Sequence, residues 1–272
     1  MIRILILALI FGLNLQSFAG NENPPAGAAG AGMAHASVTF TDVWSCYNNQ
    51  AGSAYIDKIT AGVYNEFRFG MKENSFNAFA LVIPAKNIGS FSLSASYYGF
   101  KLYNEQKIGL GFARKFGNNI SASLQADYLA TNISDEYYGN ASTFTIEAGF
   151  RALLTPQLAL GFHLFNPVRS KLSEYDDERI PTTMKLGLSY DFSKKVSVAA
   201  EAEKATERKN IFKFGIDYHI TEPLYIRTGI TTNDTTGYFG FGLALKGLNL
   251  DFAASWHQVL GFTPHTSLTF KF

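Results

Sequence analysis

The chain has 272 residues, 47% of them hydrophobic and 15% aromatic, with 24 Phe and 14 Tyr against 2 Trp, and a formal net charge of +1. That near-neutral balance, with no clustered basic patch, excludes a nucleic-acid binder, which needs an excess of Lys and Arg on one face. The single cysteine, Cys46, excludes an intramolecular disulfide scaffold and reads as a small buried hydrophobe.

Residues 1–19, MIRILILALIFGLNLQSFA, carry one basic residue (Arg3), an apolar stretch from Ile4 to Leu13, and small residues at Ser17 and Ala19. This is the pattern of a cleaved secretory signal. A membrane-spanning helix would need about 20 apolar residues, and this run breaks at Asn14 and Gln16. Removing the signal removes Arg3 and leaves a chain of zero formal charge. Residues 20–57 follow, rich in Ala and Gly (AGAAGAGMAHAS) and then oddly polar (DVWSCYNNQAGSA). They precede any strand pattern and are long enough to serve as a plug inside a barrel.

From residue 58 onward, fourteen runs alternate in polarity, each close to the 9–11 residues that cross a bilayer as a tilted strand. They span 58–70, 75–85, 89–101, 106–116, 119–131, 142–154, 157–166, 182–192, 195–205, 210–220, 223–232, 236–246, 248–258 and 265–272. In LNLDFAASWH, Leu248, Leu250, Phe252, Ala254 and Trp256 share one face, and Asn249, Asp251, Ala253, Ser255 and His257 share the other. A β-sandwich alternates too, with its apolar face inward; a transmembrane barrel turns that face to lipid and the polar one to its lumen.

Connection length favours the barrel. The links KNI, FGN, TPQ, SKK, TEP and KGL are tight, whereas NISDEYYGNAS and PVRSKLSEYDDERIP fall in the other set. Short periplasmic turns and longer outer loops characterise outer-membrane barrels. Aromatics of lipid-facing parity lie near the strand ends, Tyr190 and Tyr218 at the periplasmic side, Tyr128 and Trp256 at the outer side. The closing SLTFKF, ending in Phe272, resembles the C-terminal signal of bacterial outer-membrane barrels. An even number of strands closes an antiparallel sheet without an exposed edge. The expected fold is therefore an all-β transmembrane barrel of about 14 strands over residues 58–272, in the bacterial outer membrane, with residues 20–57 as a luminal plug.

The stretch 27–54, GAAGAGMAHASVTFTDVWSCYNNQAGSA, resembles the N-terminal segment of FadL-type outer-membrane transporters, and more closely their PorV/PorQ-like branch in Bacteroidetes. That branch has a small-residue start, an acidic-aromatic step such as Asp42-Val43-Trp44, and an Asn-Pro-Ala-Gly turn. Here the turn reads Asn49-Gln50-Ala51-Gly52, with Gln50 in place of the commoner Pro. The runs LYIRTGI (224–230), FGFGLAL (239–245) and LGFTPHTSLTFKF (260–272) resemble the late strands of the same family. The resemblance implies a plugged fourteen-stranded barrel and, in FadL-type relatives, a route through an opening in the wall. It implies either uptake of a hydrophobic or amphiphilic molecule or, for the PorV-like branch, a docking role in type IX secretion; the sequence leaves both open.

Trp44 and Tyr47 are the expected packing anchors of the plug, and Asn48, Asn49, Gln50 and Gly52 its turn. Luminal parity falls on Glu66, Arg68, Asp127, Glu147, Arg151, Lys185, Asp191, Glu201, Glu203, Lys213, Asp217, Arg227 and Asp251, and on His163, His219 and His257. Charges in a narrow lumen persist only when paired, so a polar network is expected, with Glu66, Arg68, Glu147, Arg151, Glu201, Glu203, Asp217, Arg227 and Asp251 as its core. Tyr137, Tyr138, Phe165, Tyr175 and Phe262 are aromatic candidates for an outer site, and Gly62, Gly109 and Gly111 for a wall kink. His35 is expected to hydrogen-bond within the lumen.

Ser255, His257 and Asp251 share a face, but residues two apart on a strand are about 7 Å apart, too far for a Ser–His hydrogen bond. The five histidines are scattered without metal-ligand spacing. No enzyme activity, metal or cofactor is expected. The acidic run 174–178 reads as a solvated outer loop, near lipopolysaccharide. Membrane lipid, a hydrophobic small molecule and secretion-system proteins are the candidate partners.

Overall fold

The computed structural model describes residues 23–134, 139–172, 179–206, 208–232 and 236–272. The signal sequence, Tyr137, Tyr138, Tyr175 and the acidic run 174–178 lie outside the described residues. Fourteen antiparallel strands form a closed barrel: β1 (Thr60–Phe67), β2 (Ser75–Ala85), β3 (Gly89–Phe100), β4 (Tyr103–Phe116), β5 (Ile120–Ile133), β6 (Asn140–Leu153), β7 (Leu158–Phe165), β8 (Thr183–Asp191), β9 (Val196–Ala205), β10 (Ile211–Thr221), β11 (Leu224–Thr231), β12 (Gly237–Leu245), β13 (Leu248–His257) and β14 (Gly261–Lys271). Each pairs with its sequence neighbours, and β1 closes on β14 from Thr60↔Lys271 to Glu66↔His265.

The alternation read from the sequence is the alternation of the wall. Leu110, Leu124 and Phe144 point outward, 65%, 66% and 72% exposed, while Asp127, Glu147 and His163 point inward and are buried. An apolar outside around a charged inside is stable only if lipid is the outer solvent. No helix among the described residues is long and apolar enough to cross a membrane; the strands do so. Tyr128, Tyr190, Tyr218 and Trp256 are all exposed on the outer surface.

Strand ends differ from the sequence reading in places. β1 stops at Phe67 rather than 70, because Phe69 takes a left-handed backbone (φ 57) in a 3-10 turn. β14 begins at Gly261, since Trp256↔Phe262 and His257↔Gly261 still pair beyond the expected start at 265. The β3–β4 connection is a tight hairpin, with Phe100 paired to Tyr103. Loop asymmetry is therefore weaker than the sequence suggests: some outer connections are as short as the turns at the termini end.

The described parts of the β7–β8 connection, residues 166–172 and 179–182, pack at the end of the barrel away from the termini. Leu172 and Ile180 pack with Leu129 and Phe165 in a buried apolar cluster. Asn166 organises it: its Oδ1 accepts from Thr145 Oγ1 (2.7 Å) and Ser170 N (3.0 Å), and its Nδ2 donates to Ile180 O (2.8 Å).

Candidate functional site

Residues 23–57 run inside the barrel. A single helical turn, Ala28–Gly32, packs on β11–β14; a second, Ser45–Asn48, and a 3-10 helix, Gln50–Tyr55, pack on β2–β6. Backbone reaches the wall closely where the inner face has no side chain: a Cβ at Gly149 would lie 2.3 Å from Asn49 Oδ1, and one at Gly215 2.5 Å from Met33 Cβ.

The six residues expected in this segment are all buried. Trp44 packs on the bare backbone of Gly62 and edge-on to Tyr64, with ring centroids 5.7 Å apart. Tyr47 reaches the wall, its hydroxyl 2.9 and 2.8 Å from the carbonyl oxygens of Phe79 and Ala95. Asn48 Nδ2 donates to Ala26 O (3.1 Å), and Asn49 Nδ2 to Val38 O (2.7 Å) and Phe150 O (3.0 Å). The stretch Asn48–Gly52 is not a single turn: Asn49, extended at φ −172, separates the two helical pieces, and its Oδ1 caps the second by accepting from Ala51 N. Gly52 sits in the 3-10 helix so close to Phe40 O that a Cβ would fall 2.1 Å from it.

Gln50 carries most of the chemistry. Its Nε2 donates to Glu147 Oε2 (2.6 Å) and to Cys46 O (3.2 Å). A proline, the residue at this position of the resembled turn, has no such donor.

Glu147 is the hub of the first luminal cluster. It pairs with Lys107, lies 2.6 Å from His163 Nε2, and accepts from Gln125 Nε2 (3.2 Å) and Asn23 Nδ2 (3.5 Å). Lys107 also reaches Asp127 Oδ1 (3.6 Å) and Asn23 Oδ1 (2.8 Å), and stands over the rings of Phe165 and Tyr47. In a second cluster Lys213 bridges Glu201 (2.9 Å) and Glu203 (2.6 Å), while Glu201 Oε2 accepts from the backbone amides of Ser37 (3.0 Å) and Val38 (2.9 Å). In a third, Arg227 holds Asp217 (3.2 Å) and Asp251 (2.6 Å). Glu66 and Arg68 pair with each other (2.7 Å). Arg151 has no carboxylate partner among the described residues: its Nε donates to Thr39 O (2.8 Å) and its guanidinium covers Tyr55.

The nine expected network residues thus fall into separate clusters rather than one web, and three of those clusters touch the N-terminal segment. Lys107, Gln125 and Asn23, central to the first cluster, were not singled out from the sequence. Lys107 shares the parity of the luminal Gly109 and Gly111, a signal that was present. Asn23 had none, since its place depends on the path of an irregular segment.

Other expectations are corrected. His35 Nδ1 makes no hydrogen bond; the ring packs edge-on to Tyr238 (5.9 Å) and His265 (5.8 Å). His257 caps the β13–β14 turn, accepting from Val259 N and Leu260 N, and its ring meets Phe69 edge-on (6.1 Å). Ser255 finds a histidine on the neighbouring strand, 3.3 Å from His265 Nε2, and the chain continues through Tyr64 (2.8 Å) to Glu66 (3.1 Å). Phe165 is buried beneath the β7–β8 connection, and Phe262 lies on the lipid face against Trp256, so neither lines an outer site.

The wall is continuous: β1–β2, β2–β3 and β3–β4 pair residue by residue, and Gly62, Gly109 and Gly111 make room for Trp44, Gln125 and Asp127 rather than kinking a strand. The register shifts between His219 and Thr221, near the termini end. No opening of the kind implied by FadL-type relatives interrupts these ladders. Among the described residues no three His, Cys, Asp or Glu side chains converge as a metal site.

Below the segment a cavity of about 420 Å³ opens toward the termini end, lined by Asp42, Arg151, Asp217, Arg227 and Asp251 among others. Burial, reinforced by the Asp251 carboxylate, pushes the Asp42 carboxyl up to about 6. Burial, with a smaller push from the Asp42 carboxylate, takes the Cys46 thiol up to about 12, so it is unreactive while the segment is seated.

A closed fourteen-stranded transmembrane barrel, its lumen occupied by its own N-terminal segment, defines the class of protein. The fold is that of FadL-type outer-membrane barrels. It is similar to a Pseudomonas aeruginosa FadL homologue (TM-score 0.68, 15% identity, 94% of this chain and 100% of that one). It is also similar to the monoaromatic hydrocarbon channel CymD (0.66, 14%, 91% and 98%) and the Pseudomonas putida toluene transporter TodX (0.65, 11%, 90% and 98%). No protein-family model matches the sequence, and no curated protein is similar to it in sequence.

Proposed function

We propose that this protein is an outer-membrane barrel that admits a hydrophobic or amphiphilic small molecule, with residues 20–57 as a plug that shifts to let it pass. The observation that carries this reading is how the segment is fastened. It is held by non-covalent contacts alone: polar ones to Glu147, Lys107, Glu201, Arg151, Ser121, Ser267 and the carbonyls of Phe79, Ala95 and Phe150, and apolar packing of Trp44 and Tyr47, across a wall smoothed by glycine. Such contacts release without unfolding the strands, whose own ladders do not depend on them. The likeness to a toluene transporter and a hydrocarbon channel supports the ligand class.

The test is to lock the plug. Ala28 N lies 3.2 Å from Ser267 Oγ, so Ala28→Cys with Ser267→Cys, in a Cys46→Ala background, offers a disulfide between segment and wall. Uptake of labelled toluene or oleate into proteoliposomes should fall at least about tenfold on oxidation and return on reduction. Equal rates in both states would refute the reading.

A second reading, a PorV/PorQ-like docking partner in type IX secretion, is favoured by the uninterrupted wall and the covered outer end. It predicts no amphiphile binding by the purified barrel, and recovery of secretion-system proteins when it is pulled down.

A further inference from the structure

The turns at the termini end carry an unusual charge. Lys58, Lys86, Arg114, Lys194, Lys195 and Lys246 are all exposed there, and none has a carboxylate within ion-pair distance among the described residues. Against them, among the described residues, stand only three exposed acids, Asp57, Asp191 and Glu222. The loops of the opposite end hold acids and bases in near-equal numbers. The whole chain is almost neutral, so the imbalance is a matter of placement.

Each of these cations also neighbours a large apolar side chain on the lipid face. Ile59 follows Lys58, Ile88 lies two residues beyond Lys86, Phe116 two beyond Arg114, Phe192 two before Lys194, and Leu245 precedes Lys246; all five are exposed. A cation at the edge of an apolar band, or one or two residues past it, lays its stem along that band and lifts its charge to the headgroup layer. The six occur at the β1–β14 seam and at the β2–β3, β4–β5, β8–β9 and β12–β13 ends, around most of the circumference. A protein partner would engage one side of the ring, whereas a sheet of headgroups meets all of it.

We infer that this ring is a binding collar for anionic phospholipid headgroups in the leaflet at the termini end of the barrel. The collar requires only that the barrel spans a bilayer and is independent of what passes through it. It fixes the depth and tilt of the barrel in that leaflet and gathers anionic lipid around it, each cation near an anionic surface being worth about a fivefold preference.

The test uses the full barrel in vesicles of phosphatidylcholine with a minority of phosphatidylglycerol, reading by fluorescence quenching which lipid contacts a reporter tryptophan at the termini end (Phe192→Trp in a Trp256→Phe background, carried by every chain). Three chains are compared: wild type; a collar variant with Lys86→Gln, Arg114→Gln, Lys194→Gln, Lys195→Gln and Lys246→Gln; and an opposite-end control with Lys72→Gln, Lys101→Gln and Lys209→Gln. Wild type and control should enrich phosphatidylglycerol at least about threefold over its bulk fraction, and the collar variant should not. Enrichment in wild type should also fall steeply between 0.05 and 0.5 M salt, roughly the range over which the screening length drops below one headgroup spacing. That reading needs no variant and stands even if the collar variant fails to insert. No enrichment in wild type, enrichment insensitive to salt, or equal enrichment in the collar variant would each overturn the collar. So would capture of an acidic periplasmic protein in place of lipid.

Discussion

Replacing Gln50 by leucine isolates the contact that most tightly joins the N-terminal segment to the wall. The side chain is fully buried, and the substitution keeps its bulk while removing the 2.6 Å donation to Glu147 and the 3.2 Å donation to Cys46 O. A hydrogen bond to a charged group is worth about 1.5–3 kcal/mol. Glu147 remains served by Lys107, His163 and Gln125, so no carboxylate is stranded. Gln50 Oε1 has no partner in the native structure, and deleting an orphan acceptor returns part of the cost. The net expectation is a loss of about 2 kcal/mol in seating the segment, about a thirtyfold rise in the population of its open state. Cys46 reports it directly: it is the only cysteine, it lies in the segment, and it is fully buried. Maleimide labelling of the folded barrel should accelerate by about thirtyfold in Gln50→Leu, while the β content read by circular dichroism stays that of wild type. A labelling rate within threefold of wild type would refute the view that this contact holds the segment.

Gly52→Ala should open the segment further, because the new Cβ would lie 2.1 Å from Phe40 O and 2.5 Å from Ser45 Oγ and something must move; faster Cys46 labelling and a lowered unfolding temperature are the readouts. Lys213→Met strands Glu201 and Glu203 in the wall and should cost about 3–5 kcal/mol, whereas Lys213→Met combined with Glu201→Gln and Glu203→Gln should recover most of it, measured by urea unfolding in vesicles. The Asp42 carboxyl, pushed up to about 6 by burial and Asp251, binds its proton more tightly in the folded state, so the stability it contributes is present at acid pH and lost as pH rises through 6. Arg227 also faces it and moderates the effect, and solvent reaches the group, so about 1 kcal/mol is expected rather than the full shift. Asp42→Asn should therefore label at Cys46 several-fold more slowly than wild type at pH 8, with the difference shrinking as the pH falls through 6 toward 4; a ratio independent of pH would refute it.

Much of the barrel was readable in the chain because a strand's side-chain period is two whatever its partners. Where lipid lies on one side and a narrow polar lumen on the other, that period writes itself into the sequence strand by strand. Glu147, Glu201, Asp217 and Arg227 could thus be assigned to the lumen before any pairing was known. Strand ends were less legible where hairpin pairing outruns the apolar band, as at Phe100↔Tyr103 and His257↔Gly261.

Which charge meets which is a different matter. Lys107 reaches Glu147 from two strands away, with Gln125 between them, and Ser255 meets His265 rather than the His257 on its own strand. Those neighbours depend on the stagger between strands, which no single strand encodes. The path of residues 23–57 is decided at longer range still. Gln50 in the sequence is a departure from a familiar turn; in the folded barrel it is a donor aimed at Glu147, because closure of the wall brings β6 to that place. The sequence by itself determined the number of strands, the side each residue faces and the presence of a polar interior. Only the tertiary structure decided how that interior is divided, what fastens the segment within it and that the wall is unbroken, because these are set by stagger and closure, which act between strands.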